Sequence, residues 1–354
     1  MSRFFSNKFD ALTPYTPGEQ PKILNLVKLN TNESPFPPSK KAVDAAEAAA
    51  EVLQLYSDPT SSALTEKMAE ILGVKPQQVL MTNGSDEILN FAFMAYGDAD
   101  SPIVFPDITY GFYPVFAQLS NIPYEEIPLD EDFKIKVSDY VGINKTIVIA
   151  NPNAPTGIAL SLDEIEEIVK SNPDNIVVID EAYVDFGNKS AVCLIDKYDN
   201  LLVTGTFSKS RSMAGIRIGY AMGNPELIKA INDVKYSYNS YTMNLASIEL
   251  GSIILEDKAY FKETCEKIIA TRERSKARLK ALGFNFPDSM SNFIFAKPSK
   301  LSAKELFEEL KKRNIYVRYF SGERVKEYIR ITIGTDEEMD RLFEAIEEIQ
   351  ECQY

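Results

Sequence analysis

The chain has 354 residues, with 38 Lys and Arg against 52 Asp and Glu, a formal net charge of −14. That balance, with no clustered run of Lys and Arg, argues against a nucleic-acid partner, because a phosphate backbone must be met by many cations. No apolar run approaches the roughly 20 residues of a spanning helix, and residues 1–15 lack the apolar stretch of a secretion signal, so no membrane association is expected.

Residues 1–39 are rich in Pro and Asn with little periodicity, which reads as an extended arm. Apolar residues then recur at helical spacing in KAVDAAEAAAEVLQLY and again in SALTEKMAEIL. Short apolar runs at 79–81, 103–105, 146–150, 176–180, 201–204 and 217–222 predict buried strands. Helical patterns at 85–96, 110–120 and 161–171 lie between several of them. Strands alternating with helices imply βαβ units, an α/β fold with a mostly parallel sheet covered on both faces. Beyond about residue 244 the texture changes. A charged amphipathic stretch at 257–282 leads to a strand at 292–296, a helix at 303–312, strands near 315–318 and 328–333, and a closing helix at 336–350. The expected division is an arm at 1–39, a large domain at 40–245 and a smaller α+β domain at 246–354.

Residue counts narrow the chemistry. Three widely spaced cysteines, Cys193, Cys265 and Cys352, form neither a disulfide framework nor a zinc spacing, which points to a reducing cytoplasm and no metal. There is no histidine, so Ser-His and Cys-His nucleophiles and histidine bases are absent. Lysine, carboxylates, tyrosine or a cofactor must supply the reactivity.

The predicted strand NIVVIDEAY ends in Asp180, with Tyr183 three residues on. In open α/β sheets ligands bind beyond the carboxyl ends of the strands, although an aspartate there also caps turns. The next strand, LLVTGTF, runs into Ser208-Lys209-Ser210. A desolvated lysine at a strand end is a competent amine nucleophile for a carbonyl; a solvated loop lysine is the plainer alternative. Thr206, Ser208 and Arg217 surround it with groups able to hold a phosphate dianion. TNGSDE opens a helix whose first N–H groups, at Ser85 and Asp86, point at whatever binds there. NPNAPTG reads as a turn, and Tyr110 either stacks on a flat ring or fills the core. Together, a lysine and a carboxylate at neighbouring strand ends and a phosphate pocket match the needs of pyridoxal 5′-phosphate: an amine, an anion for its pyridinium nitrogen, and phosphate donors.

On the blocks LNTNESP, TNGSDE, TYGFYP, NPNAPTG, IDEAYVDF and TFSKSRSMAGIRIGY the chain resembles the fold-type I pyridoxal-phosphate aminotransferases, in their histidinol-phosphate branch. The resemblance implies an aspartate-aminotransferase-like large domain with a seven-stranded sheet. It implies that Lys209 forms the Schiff base and moves the substrate proton, that Asp180 pairs with the ring nitrogen and that Tyr183 donates to the 3′-oxygen. Ser85, Asp86, Thr206, Ser208 and Arg217 would grip the phosphate under Tyr110, and Tyr56 would be lent to the other subunit of a homodimer. The Asn usual before Pro-Thr-Gly is Ala154 here, so either Asn153 reaches the 3′-oxygen or Tyr183 acts alone. Arg330 and Arg318 would bind glutamate (or 2-oxoglutarate) and a phosphorylated amino alcohol in turn, with Tyr15 over the phosphate and Asn32 and Asn292 lining the cavity, or serving only as turn and strand-start residues. The implied reaction exchanges histidinol phosphate and 2-oxoglutarate with imidazole-acetol phosphate and glutamate. An aromatic-amino-acid aminotransferase, a threonine-phosphate decarboxylase or a non-catalytic binder on the same scaffold are the competing readings.

Overall fold

In the computed structural model, which describes residues 4–10 and 12–352, the chain leaves the arm through a two-residue strand, β1 (Val27–Lys28). Helix α1 (Lys40–Ala50) starts where the Ser39 hydroxyl accepts the Ala42 N–H. Helix α2 (Ser62–Leu72) stops on Gly73, whose φ of 70° is a left-handed conformation that costs glycine little. There follow β2 (Val79–Thr82), α3 (Ser85–Tyr96), β3 (Ile103–Pro106), α4 (Tyr113–Ser120), β4 (Tyr124–Ile127), β5 (Thr146–Ala150), α5 (Leu162–Ser171), β6 (Val177–Asp180), β7 (Leu201–Thr206) and β8 (Gly219–Gly223). These strands form one seven-stranded sheet in the order β2-β8-β7-β6-β5-β3-β4. Only β8 runs against its neighbours.

Every strand of this sheet except β4 is buried along its whole length, which is why each reads as an uninterrupted apolar run. Side-chain alternation sorts them to two faces. Ile147, Ile149, Val177, Ile179, Leu201 and Val203 pack with residues of α2, α5 and α7. Val148, Val178 and Leu202 pack with α3, α4 and α6 on the other side. Helix α5 shows the local logic: Ser161 and Glu164 form a reciprocal capping box, and Ile165, Ile168 and Val169 place one buried stripe on the sheet.

The remainder comprises α6 (Pro225–Tyr238), α7 (Leu245–Glu256), α8 (Lys258–Ala281), β9 (Phe284–Asn285), β10 (Phe293–Pro298), α9 (Ala303–Lys312), β11 (Ile315–Tyr316), β12 (Arg318–Tyr319), β13 (Ile329–Thr332) and α10 (Asp336–Glu351). A four-stranded antiparallel sheet, β12-β13-β10-β9, carries a second core, and β1 pairs parallel with β11 beside it. Val27 and Leu29 are fully buried in that core, so the arm is stitched to the small sheet before it reaches α1.

Several features differ from the sequence expectation. Strand β4 was not predicted, because Tyr-Glu-Glu-Ile at a sheet edge is solvent-facing and carries no apolar run. Tyr110 precedes helix α4, which begins at Tyr113 with a proline in its first turn. Arg217 is not a strand residue: its φ is 53°, and β8 starts at Gly219. Helix α7, beyond the expected boundary, buries Ile248, Leu250, Ile254 and Leu255 in the larger core. Among the described residues no helix is long and apolar enough to cross a membrane.

Candidate active site

The carboxyl ends of β6 and β7 and the start of α3 converge on a recess lined by Ser85, Tyr110, Asp180, Tyr183, Lys209 and Arg217, among others. Tyr110, Tyr183 and Lys209 also border a wider cavity of about 700 Å³, whose far wall carries Arg318 and Arg330. The two spaces are one site seen from its floor and from its mouth.

Asp180 closes β6 and is 5% exposed. Its carboxylate accepts from the Tyr113 hydroxyl at 3.0 Å, the Ala182 N–H at 3.3 Å and the Thr204 hydroxyl at 3.4 Å. No cation among the described residues reaches it, so burial dominates and pushes its pKa up to about 6. Tyr113, fully buried, is itself pushed well above the usual phenol range, first by burial and then by that carboxylate. Sequence reading missed Tyr113. Its only signal was its place three residues after Tyr110 in TYGFYP, where a core role looked sufficient.

Lys209 follows β7 directly. Its ammonium lies 3.3 Å from the Thr31 carbonyl and 5.8 Å from the centre of the Tyr183 ring. The Tyr183 hydroxyl accepts from Asn32 Nδ2 at 3.0 Å, and Asn32 Oδ1 accepts from Thr332 at 3.0 Å. Asn32 thus orients Tyr183 from the cavity edge. Asn292 sits behind it, donating to the Asn32 carbonyl at 3.0 Å rather than lining the cavity.

At the start of α3, Gly84 has φ 88°, and Gly219 of β8 lies so close that an added Cβ would stand 2.3 Å from the Ser85 nitrogen. Two glycines therefore let strand and helix start approach each other. Arg217 bridges the cradle, donating to Ser208 Oγ and to Asp86 Oδ2 at 3.2 Å each. Thr206 donates to Ser208 at 3.0 Å. Asp86 also accepts from the Tyr110 hydroxyl at 2.7 Å, which fixes that ring as a wall of the recess. The Asp86 side chain is thus an organiser of the cradle.

Asn153 is a correction. Its amide does not face the recess: Oδ1 accepts from Thr109 at 2.8 Å, and Nδ2 donates to the Ile108 carbonyl at 2.9 Å and to Thr156 at 3.2 Å. Both Nδ2 hydrogens are thus committed, to Ile108 and Thr156, and it is Ala154, where the resemblance expects an Asn, that lines the space.

On the far wall Arg318 and Arg330 are register partners across β12 and β13. Arg330 donates to the Asn30 carbonyl at 3.2 Å, while its Nε is buried with no acceptor among the described residues. Burial lowers its pKa, as expected of a guanidinium lacking an anion. Arg318 donates to the carbonyls of Pro17 and Thr16 at 3.2 and 3.1 Å. Tyr15 stacks on Phe112 at 4.2 Å and lines the cavity, its hydroxyl raised by burial and partly offset by both arginines. Tyr56 borders neither space. It is 84% exposed, against Tyr241 at 4.7 Å. Among the described residues no group of acidic or sulfur side chains is arranged to hold a metal ion.

The recess therefore combines a lysine, a buried carboxylate awaiting a cation, a helix-start cradle with an arginine, and a second, larger chamber with an arginine pair. A family model for aminotransferases of class I and II matches residues 25–346. The chain is 51% identical over 353 residues to a histidinol-phosphate aminotransferase of Brachyspira hyodysenteriae, covering 99% of each. It is 49% identical over 350 residues to one from Acinetobacter baumannii, covering 98% of this chain and 97% of that one. The solved histidinol-phosphate aminotransferase of Sinorhizobium meliloti, in complex with pyridoxal-5′-phosphate, superposes with a TM-score of 0.89 at 23% identity, covering 100% of this chain and 99% of that one. The chain belongs to the class I and II aminotransferases and, within them, to the histidinol-phosphate aminotransferase family.

Proposed function

We propose that this chain is a histidinol-phosphate transaminase of histidine biosynthesis, exchanging histidinol phosphate and 2-oxoglutarate with imidazole-acetol phosphate and glutamate in a ping-pong cycle, with pyridoxal 5′-phosphate as its resident cofactor. The carrying observation is the buried Asp180 carboxylate with no cationic partner, on the recess, and the Arg330 Nε with no acceptor, on the wider chamber, among the described residues. A cofactor with a positive ring nitrogen fits the first, and an anionic substrate the second.

When bound, the cofactor supplies an aldehyde that exchanges amines and a ring that withdraws electrons from the substrate α-carbon. Lys209 would hold that aldehyde through its amine and, when free, would be the base that moves the proton of the substrate α-carbon. Asp180, anchored by Tyr113 and Thr204, keeps an anion beside the ring nitrogen. Tyr183, steadied by Asn32, serves the ring oxygen without help from Asn153. The helix start at Ser85, with Thr206, Ser208 and Arg217, grips the phosphate. Arg330 and Arg318 take the carboxylate of glutamate and the phosphate of histidinol phosphate in alternate halves of the cycle, which explains how one chamber serves two substrates.

A homodimer is part of this proposal. Leu53, Leu55 and Tyr56, each 60% or more exposed, lie outside the chain's own site, and a second copy covering them would bring Tyr56 to the neighbouring phosphate cradle. The division into an arm (1–39), a large domain extended through α7 to Glu256 and a small domain after it, and a reducing cytoplasm suited to the exposed Cys193 and Cys352, belong to the same proposal. A donor panel tests the substrate. Turnover of histidinol phosphate well above that of phenylalanine, with no carbon dioxide released from phosphothreonine, supports it. Preference for either of the other two donors reassigns the chain.

A further inference from the structure

A third arginine, Arg324, lines the same chamber but is not free for substrate. Its Nη1 donates to Asp107 Oδ2 at 2.6 Å, and its Nη2 to the carbonyls of Leu129 and Asp130 at 2.8 Å each. Three acceptors occupy the two terminal nitrogens of the fork, and the guanidinium also lies 5.9 Å from the Phe133 ring centre. Arg324 sits in the turn joining β12 to β13, midway between Arg318 and Arg330. All three of its acceptors lie on the large-sheet side: Asp107 directly follows β3, and residues 129 and 130 follow β4.

We infer that Arg324 and Asp107 form a clasp that positions the arginine pair against the cofactor wall. It makes them a positioning pair for the proposed transamination, on which this inference rests. One end of the clasp is the tip of the β12–β13 hairpin, which carries Arg318 and Arg330 in register. The other end is the turn that continues to Thr109, bonded to Asn153 at 2.8 Å, and to Tyr110, bonded to Asp86 at 2.7 Å. Asp107 is held from behind, since its Oδ1 accepts the Leu129 N–H at 2.9 Å. The clasp therefore links the anion-binding hairpin to the Tyr110 wall through two rigid connections. Beneath it Phe133, Phe295, Phe320, Val325 and Tyr328 pack across the same junction. That apolar floor keeps the hairpin attached when the clasp is cut, so what the clasp sets is placement.

The test uses the cofactor-loaded protein and the variants Arg324→Gln, Asp107→Asn and their double. Inorganic phosphate affinity is measured by calorimetry, alongside KM and kcat for both substrates. The clasp predicts that each single variant weakens phosphate binding and raises both KM values by about three- to thirtyfold, with kcat nearly unchanged and the double no worse than either single. Arg324→Lys should recover part of the loss, because an ammonium can meet Asp107 but not all three acceptors. A mere field effect predicts opposite signs, with phosphate weaker in Arg324→Gln and tighter in Asp107→Asn; that pattern overturns the inference. So do additive losses, or a lowered melting temperature with unchanged phosphate affinity. If the wild type binds phosphate but does not turn over histidinol phosphate, the substrate reading fails while the calorimetry still decides the clasp.

Discussion

Arg330 is the residue on which the two-substrate account leans most. Its Nε is buried with no partner among the described residues, so truncation removes a waiting half of a charge-assisted pair as well as the bond to the Asn30 carbonyl. Arg330→Ala should cost about 1.5 to 3 kcal/mol of binding and slow both half-reactions by similar factors, measured in single turnover with each substrate. Slowing confined to one half would mean that the two substrates use different anchors. Buried acids give a second prediction. Asp180 is pushed up to about 6 and Glu181, which accepts from Ser190 and the Ala191 N–H, to about 8, both chiefly by burial. A raised carboxyl pKa means that the folded chain holds protons that the unfolded chain has released. This contribution is therefore fully present below about pH 4 and is lost as pH rises through 6 and then 8, on the order of a few kcal/mol in all. Cofactor-free protein should show a denaturation midpoint that falls between about pH 5 and pH 9, and Glu181→Gln should flatten the upper part. A midpoint rising over that range would contradict the assignment. Lys209 and Asp180 were legible because each ends an apolar run, whereas Arg324 and Asp107 stand 217 positions apart and nothing in either neighbourhood marks the other.

At the scale of elements, the phosphate cradle depends on β8 passing against the start of α3. Gly219→Ala would set a Cβ 2.3 Å from backbone atoms of Gly84 and Ser85, and backbone cannot yield as a side chain does. Overpacking of this kind typically costs about 1 to 3 kcal/mol, so cofactor affinity, followed by visible absorbance titration, should fall by about tenfold or more. Unchanged affinity would mean that the helix start is not what grips the phosphate. Elements with one strong period were readable in advance: α9 matches its predicted limits because Ser302 caps an apolar stripe, and α3 because Gly84 and Gly97 bracket one. Strand β4 was not, since its stability comes from pairing with β3 and not from its own side chains. The single predicted strand near 315–318 is two, split at Val317, because β11 pairs with the arm and β12 with β13. A partner contributed from residue 27 cannot be read from the local pattern.

For the whole molecule, the proposed homodimer would tie assembly to catalysis through the exposed Leu55 and Tyr56. Leu55→Asp should shift sedimentation from dimer toward monomer and weaken cofactor retention together, because a monomer lacks the neighbour's Tyr56. Full retention by a proven monomer would remove Tyr56 from the site. The two-part architecture was legible as a change of texture, yet α7 belongs to the larger core because its apolar residues complete a face begun by α1 and α2. Composition alone could not show which face it would meet. What unites the scales is a lysine and an aspartate at adjacent strand ends, with an arginine hairpin across the chamber. The most direct measurement is a single half-reaction: cofactor-loaded protein mixed with histidinol phosphate and no acceptor. The account predicts loss of the yellow colour, one equivalent of imidazole-acetol phosphate per chain, and return of the colour on adding 2-oxoglutarate. Persistence of the colour with no keto product, in protein whose cofactor is demonstrably attached at Lys209, would contradict it.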